Sequence, residues 1–171
     1  MSEADWMIPN PPRFLSSERR LPIVPDSNDY YKSMEEIEEV VRGFESCTTQ
    51  PSEFNHRAHL TVAFAYLHLS QLTVAGALER MRIGLYSFLD HNHVAREKYN
   101  ETITLFWIKL IRSFLDRTDA KRPVADIANE MIASYGNSQL IFDYYSKEII
   151  SSEEARKMWI EPDAKSFDSS E

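Results

Sequence analysis

The chain of 171 residues is poor in the residues on which several common chemistries depend. It has one cysteine, Cys47, which excludes an internal disulfide framework and any multi-cysteine zinc or iron–sulfur centre. Cys47 follows the end of an expected helix, where a small half-apolar thiol is an ordinary packing residue. Four glycines leave no glycine-rich loop to cradle phosphates, and no nucleotide fingerprint, nucleophile elbow or HExxH zinc motif is present. Positive charge is scarce, with 19 basic against 27 acidic residues and a formal net charge of −8. The basic residues are scattered among acids instead of gathered on one stretch, which argues against a nucleic-acid partner. The apolar run from Ile103 is interrupted by Lys109, Arg112 and Ser113 before it is long enough to span a bilayer. The acidic start Met1-Ser2-Glu3-Ala4-Asp5 is unlike a signal peptide. Together with the lone cysteine, these absences lead to the expectation of a soluble, cytoplasmic protein with no membrane partner.

Period-two alternation does not persist anywhere, whereas apolar residues recur at helical spacing along most of the chain. The expected class is all-α, a compact single-domain helical bundle over residues 33–163. Residues 1–32 form a proline-rich arm, extended or disordered, that holds five of the eight prolines and the apolar anchors Trp6, Phe14, Leu21 and Ile23. Residues 164–171 form a polar tail expected to fray.

Within the domain, Ser33-Met34-Glu35-Glu36 reads as a capping box opening a helix. Asn55 caps a second helix running to about Leu69, and Thr73 starts a third that ends near Asp90 to His93. A fourth runs from about Asn100 to Leu115. Pro123 announces a fifth, stopped by Gly136. A short helix is expected around Leu140 to Tyr145, and Ser151-Ser152-Glu153-Glu154 opens a last one, closed by Pro162 and anchored by Trp159.

Two polar segments head the two most apolar runs: Phe54-Asn55-His56-Arg57-Ala58-His59-Leu60 and Lys98-Tyr99-Asn100-Glu101-Thr102-Ile103-Thr104. Polar groups at the ends of buried helices need partners, because an unpaired one costs several kcal/mol (roughly 2–7). Short connections make the second and fourth helices run in the same direction. Their heads are then expected at one pole with the end of the third helix, bringing His56, Arg57 and His59 to His91, His93, Tyr99, Glu101, Thr102 and Thr104. His56 and His59 are one helical turn apart and share a face. The positive end of the helix dipole favours their neutral form. Phe106, Trp107 and Phe114 read as core packing, and His68 as an ordinary residue at the far end of its helix.

Two readings follow. In the first, the protein binds a small polar ligand or a divalent transition metal (iron, zinc, nickel or manganese) and acts as a metal-dependent enzyme. His56, His59, His91 and Glu101 are the candidate metal ligands, and Arg57, Tyr99 and Thr104 the candidate catalytic residues. Arg57 would hold an anionic group, and Tyr99 or Thr104 would donate a hydrogen bond to it. In the second, the protein is a non-enzymatic helical interaction or binding module. Its pole is then a structural network in which Arg57 pairs with Glu101 and the histidines bond to Thr102, Thr104 or backbone carbonyls.

The stretches FNHRAHL, RMRIGLYSFLDHN, KYNETITLFW, YYS and WIEPD resemble an uncharacterised family of small bacterial helical proteins, over roughly Phe44 to Asp163. The resemblance implies a helical fold and carries over no activity, cofactor or functional residue.

Overall fold

The computed structural model describes residues 7–8 and 30–167. Most of the expected arm, including Trp6, Phe14, Leu21 and Ile23, lies outside the described residues. Among those described the fold is all-α, with seven α-helices: α1 (Met34–Glu45), α2 (His56–His68), α3 (Val74–His91), α4 (Glu101–Asp116), α5 (Val124–Tyr135), α6 (Lys147–Ile150) and α7 (Glu153–Lys157). Short 3-10 turns occupy Arg96–Lys98 and Ser138–Asp143.

The caps read from the sequence form as local chemistry requires. Ser33, Asn55, Thr73, Asn100 and Ser152 each accept the amide N–H three residues on. This satisfies one of the donors that a helix start leaves without an intrahelical partner. α3 ends differently. His93 takes φ 56°, the Val94 N–H reaches the Leu89 carbonyl at 2.9 Å, and the His93 N–H reaches that of Asp90 at 3.2 Å. That is a Schellman closure with histidine in the position usually given to glycine.

α2 is the central helix. It contacts α1, α3, α4 and α5, and every residue from Leu60 to Leu67 is buried. This explains why its sequence is apolar on all sides. α4 is less enclosed: Lys109, Arg112, Ser113 and Asp116 make an outer stripe, while Phe106, Ile108, Ile111 and Phe114 face the core. Phe44 of α1 stacks on Phe54 with ring centroids 4.6 Å apart. Gly84 of α3 gives that ring room: a Cβ there would lie 2.6 Å from Phe44. Alanine would therefore collide despite its better helix propensity.

The C-terminal part corrects two expectations. α7 stops at Lys157, before Trp159 and Pro162, because Met158 turns extended at φ −151°. Trp159 instead lies flat under the Lys109 ammonium, 4.3 Å from the ring centroid. Residues 164–167, expected to fray, fold back on the domain. The Ala164 N–H donates to the Tyr144 carbonyl at 2.9 Å, and the Phe167 ring sits 5.4 Å from that of Phe106. No helix among the described residues is long and apolar enough to cross a membrane.

Candidate functional site

The heads of α2 and α4 do lie at the same end of the bundle. His56 and His59, from the first turn of α2, and Ile103 and Thr104, from the first turn of α4, line one cavity of about 30 Å³ with Met7, Met81 and Trp107. The parallel arrangement read from the short connections is thereby met. The partners of the two heads are not those expected.

The head of α4 is held by the protein itself. Arg82 of α3 grips the Glu101 carboxylate with two N–H groups, the Nε donating to Oε2 at 3.1 Å and the Nη2 to Oε1. The Tyr99 hydroxyl donates to the same Oε2. Burial first, and then the adjacent Glu101 carboxylate, raises the Tyr99 phenol above its ordinary range. Tyr99 is thus a proton-bearing donor at all physiological pH. The Asn100 side chain caps α4 and donates to the Ile150 carbonyl at 2.8 Å. The Thr102 hydroxyl donates to the Met158 carbonyl at 2.7 Å and accepts the Ile160 N–H at 3.1 Å. The Thr104 hydroxyl donates to the Asn100 carbonyl at 2.9 Å. One turn of helix therefore ties α3, α6 and the segment beyond α7 together.

The head of α2 is different. His56 Nε2 hydrogen-bonds the Tyr135 carbonyl at the end of α5, at 2.9 Å, and its ring meets Trp107 edge-on at 4.5 Å. The His59 ring packs on Phe54 at 4.2 Å, and its Nε2 is sealed from solvent. Burial lowers the pKa of both imidazoles. His56 is partly offset by its bond to Tyr135, whereas His59, with His56 beside it, is driven down to about 3. Both rings are neutral at physiological pH, as expected, although desolvation supplies the main cause. Arg57 lies with its guanidinium over the Tyr31 ring, 4.5 Å from the centroid. Tyr31 is itself clamped to Asn129 of α5 by two 2.9 Å hydrogen bonds and meets the Thr61 hydroxyl at 2.9 Å.

The expected site is thus corrected at three points. Glu101 is engaged by Arg82 and Tyr99 in place of Arg57. His91 and His93 are exposed beyond the pole. Arg82 meets the start of α4, and His91 lies nine positions further along α3, about 13 Å by the rise of a helix. α3 overshoots the site. Finally, among the described residues no three His, Cys, Asp or Glu side chains come together in a way that could hold a metal ion. The proposed ligand set His56, His59, His91 and Glu101 does not assemble.

Three roles at this pole went unread in the sequence. Arg82 is the partner of Glu101, Met7 closes the cavity, and Trp107 walls it as well as packing the core. Arg82 had one visible signal, an arginine directly beside the buried stripe Ala77-Met81-Leu85. Comparison with protein-family models, curated proteins and solved structures finds no match to this chain.

Proposed function

We propose that the protein binds a small, uncharged molecule at the His56–His59 cavity. One observation carries this reading: two imidazoles a single turn apart, kept neutral by burial, line the same cavity as Thr104 and Trp107. Apolar walls with a few convergent polar groups are the usual composition of a ligand site. The remaining wall, Met81, Ile103 and Ile108, favours a mostly apolar body bearing one hydrogen-bonding group. With its pKa held near 3, His59 is a poor base and serves a ligand as a neutral hydrogen-bonding group. Tyr99 is committed to Glu101, and Arg57 stacks on Tyr31.

A second reading rests on the His56–Tyr135 hydrogen bond, which ties α2 to α5. On that reading the pole is structural and its cavity holds water alone; a space of this size takes about one or two molecules. Titration with methanol, which a space of this size admits, separates the two, read by the imidazole nitrogen and Trp107 indole signals in NMR. Saturable shifts confined to His56, His59 and Trp107 support the ligand site. Shifts that rise linearly with methanol and never saturate leave the structural reading.

A further inference from the structure

The tautomer of His56 is fixed from outside the cavity. Its Nε2 lies 2.9 Å from the Tyr135 carbonyl oxygen, and a carbonyl oxygen only accepts. Nε2 therefore carries the hydrogen. Burial disfavours the imidazolium, so the ring holds no second hydrogen and Nδ1 is a bare acceptor. Tyr135 is not a wall of the cavity, whereas the His56 ring is. Nδ1 has no hydrogen-bond partner among the described residues.

Thr104 has the same polarity. Its hydroxyl gives its single hydrogen to the Asn100 carbonyl at 2.9 Å, which leaves the oxygen with lone pairs alone. Any polar side-chain atom that His56 or Thr104 offers the cavity is thus an acceptor. Trp107 and neutral His59 each have one N–H, which a hydroxyl oxygen can also accept. A ligand with no hydrogen to donate would leave the His56 nitrogen without a partner in a buried place. Size sets the other limit. A cavity of about 30 Å³ takes one or two water-sized groups.

We propose that the ligand is a neutral O–H or N–H compound of about one or two heavy atoms, which donates its hydrogen to His56 Nδ1. Any carbon it carries lies against Met81, Ile103 and Ile108. This proposal rests on the ligand-binding reading above and adds the polarity and size of the ligand.

The test compares methanol with fluoromethane, its isostere without a donor hydrogen, on the full wild-type chain at pH 8. Fluoromethane is supplied under gas pressure, and both are followed by long-range proton–nitrogen NMR. Before either is added, the His56 proton should be found on Nε2. Methanol should then move the bare Nδ1 signal toward the position of a protonated nitrogen, and should bind about fivefold more tightly than fluoromethane, the net worth of one hydrogen bond. His56→Phe, which keeps a flat ring and removes the acceptor, should bind the two probes within about twofold of each other. A proton found on Nδ1, equal affinity of the wild type for the two probes, or saturation by methanol with Nδ1 unmoved would each overturn the donor requirement and leave the ligand site standing. Failure of both probes to saturate would remove the ligand-binding reading itself. The deciding signals are read in the wild type, so the test survives even if His56→Phe folds poorly.

Discussion

The heads of α2 and α4 contain the same kinds of residue at the same end of the bundle, yet they do opposite things. At α4, every polar side chain from Tyr99 to Thr104 has a partner in the protein, within the segment or at Arg82, Ile150, Met158 and Ile160. At α2, Asn55 caps the helix, while His56 and His59 present neutral rings to a cavity. The difference follows from what surrounds each head. α4 starts where three other segments converge, so it meets backbone carbonyls and one guanidinium. α2 starts against Phe54, Trp107 and Met81, mostly apolar surface, with the Tyr135 carbonyl as the partner of His56. A run of polar residues at a helix start therefore marks a junction or a pocket, and the neighbours decide which.

Substitution at the α4 head should produce the largest effects. Glu101→Ala leaves Arg82 and Tyr99 without their shared acceptor. Arg82 is 38% exposed and recovers some hydration, so a loss of about 2–4 kcal/mol is expected, below the full cost of orphaning a buried charge. Glu101→Gln keeps an acceptor and should lose about half as much. Asn100→Ala removes a cap and the tie to Ile150 together, for about 2–3 kcal/mol. Urea unfolding measures all three; near-zero effects would mean that the α4 head is not the junction described.

The α2 head should instead reveal itself through pH. The folded His59 pKa is depressed from 6.5 to about 3, and that of His56 is also lowered. Below about pH 6.5 the unfolded chain takes up protons that the folded chain refuses. Stability is thus full above that pH and falls as the pH drops toward 3, by up to about 1.4 kcal/mol per pH unit for each histidine. His59→Gln should flatten this slope between pH 6.5 and 5 by up to about 1.4 kcal/mol per pH unit while costing about 1–2 kcal/mol at pH 7.5. An unchanged slope in the variant would place the pH dependence elsewhere.

The smallest effect concerns a histidine expected at the pole. His93 holds a left-handed φ of 56° and is exposed. His93→Gly should relieve about 1 kcal/mol of backbone strain, offset in part by the greater freedom of glycine in the unfolded chain. A melting temperature unchanged or slightly raised, with the methanol response of His56 and His59 unaltered, is the expected outcome. A loss of binding would return His93 to the site.

What was legible in the sequence was local. Asn55, Thr73 and Asn100 announce helix starts because a cap needs only its own amide three residues on. The apolar character of α2 announced burial because it is a property of one run. The pairing of Glu101 was not legible, since it depends on how far α3 slides along α4, and no short-range pattern encodes a displacement of nine residues. α6, four residues long, is too short to show a period. The role of Met7 was hidden for another reason: an isolated methionine in a proline-rich stretch looks the same whether it seals a cavity or not. His56 and His59 were legible as a neutral pair, but the lining that keeps them so comes from other helices.

The central claim is that the two histidines of α2 are neutral, buried walls of a cavity. Its most direct test is the protonation of their rings, followed by long-range proton–nitrogen NMR on uniformly labelled protein from pH 8 to 5. The structure predicts that His59, with its pKa near 3, remains neutral over the whole range, and that His56 protonates only below the ordinary imidazole pH. Protonation of either ring with a midpoint near 6.5 would contradict the account, because a ring that charges at its ordinary pH lies in water and not against Trp107 and Phe54.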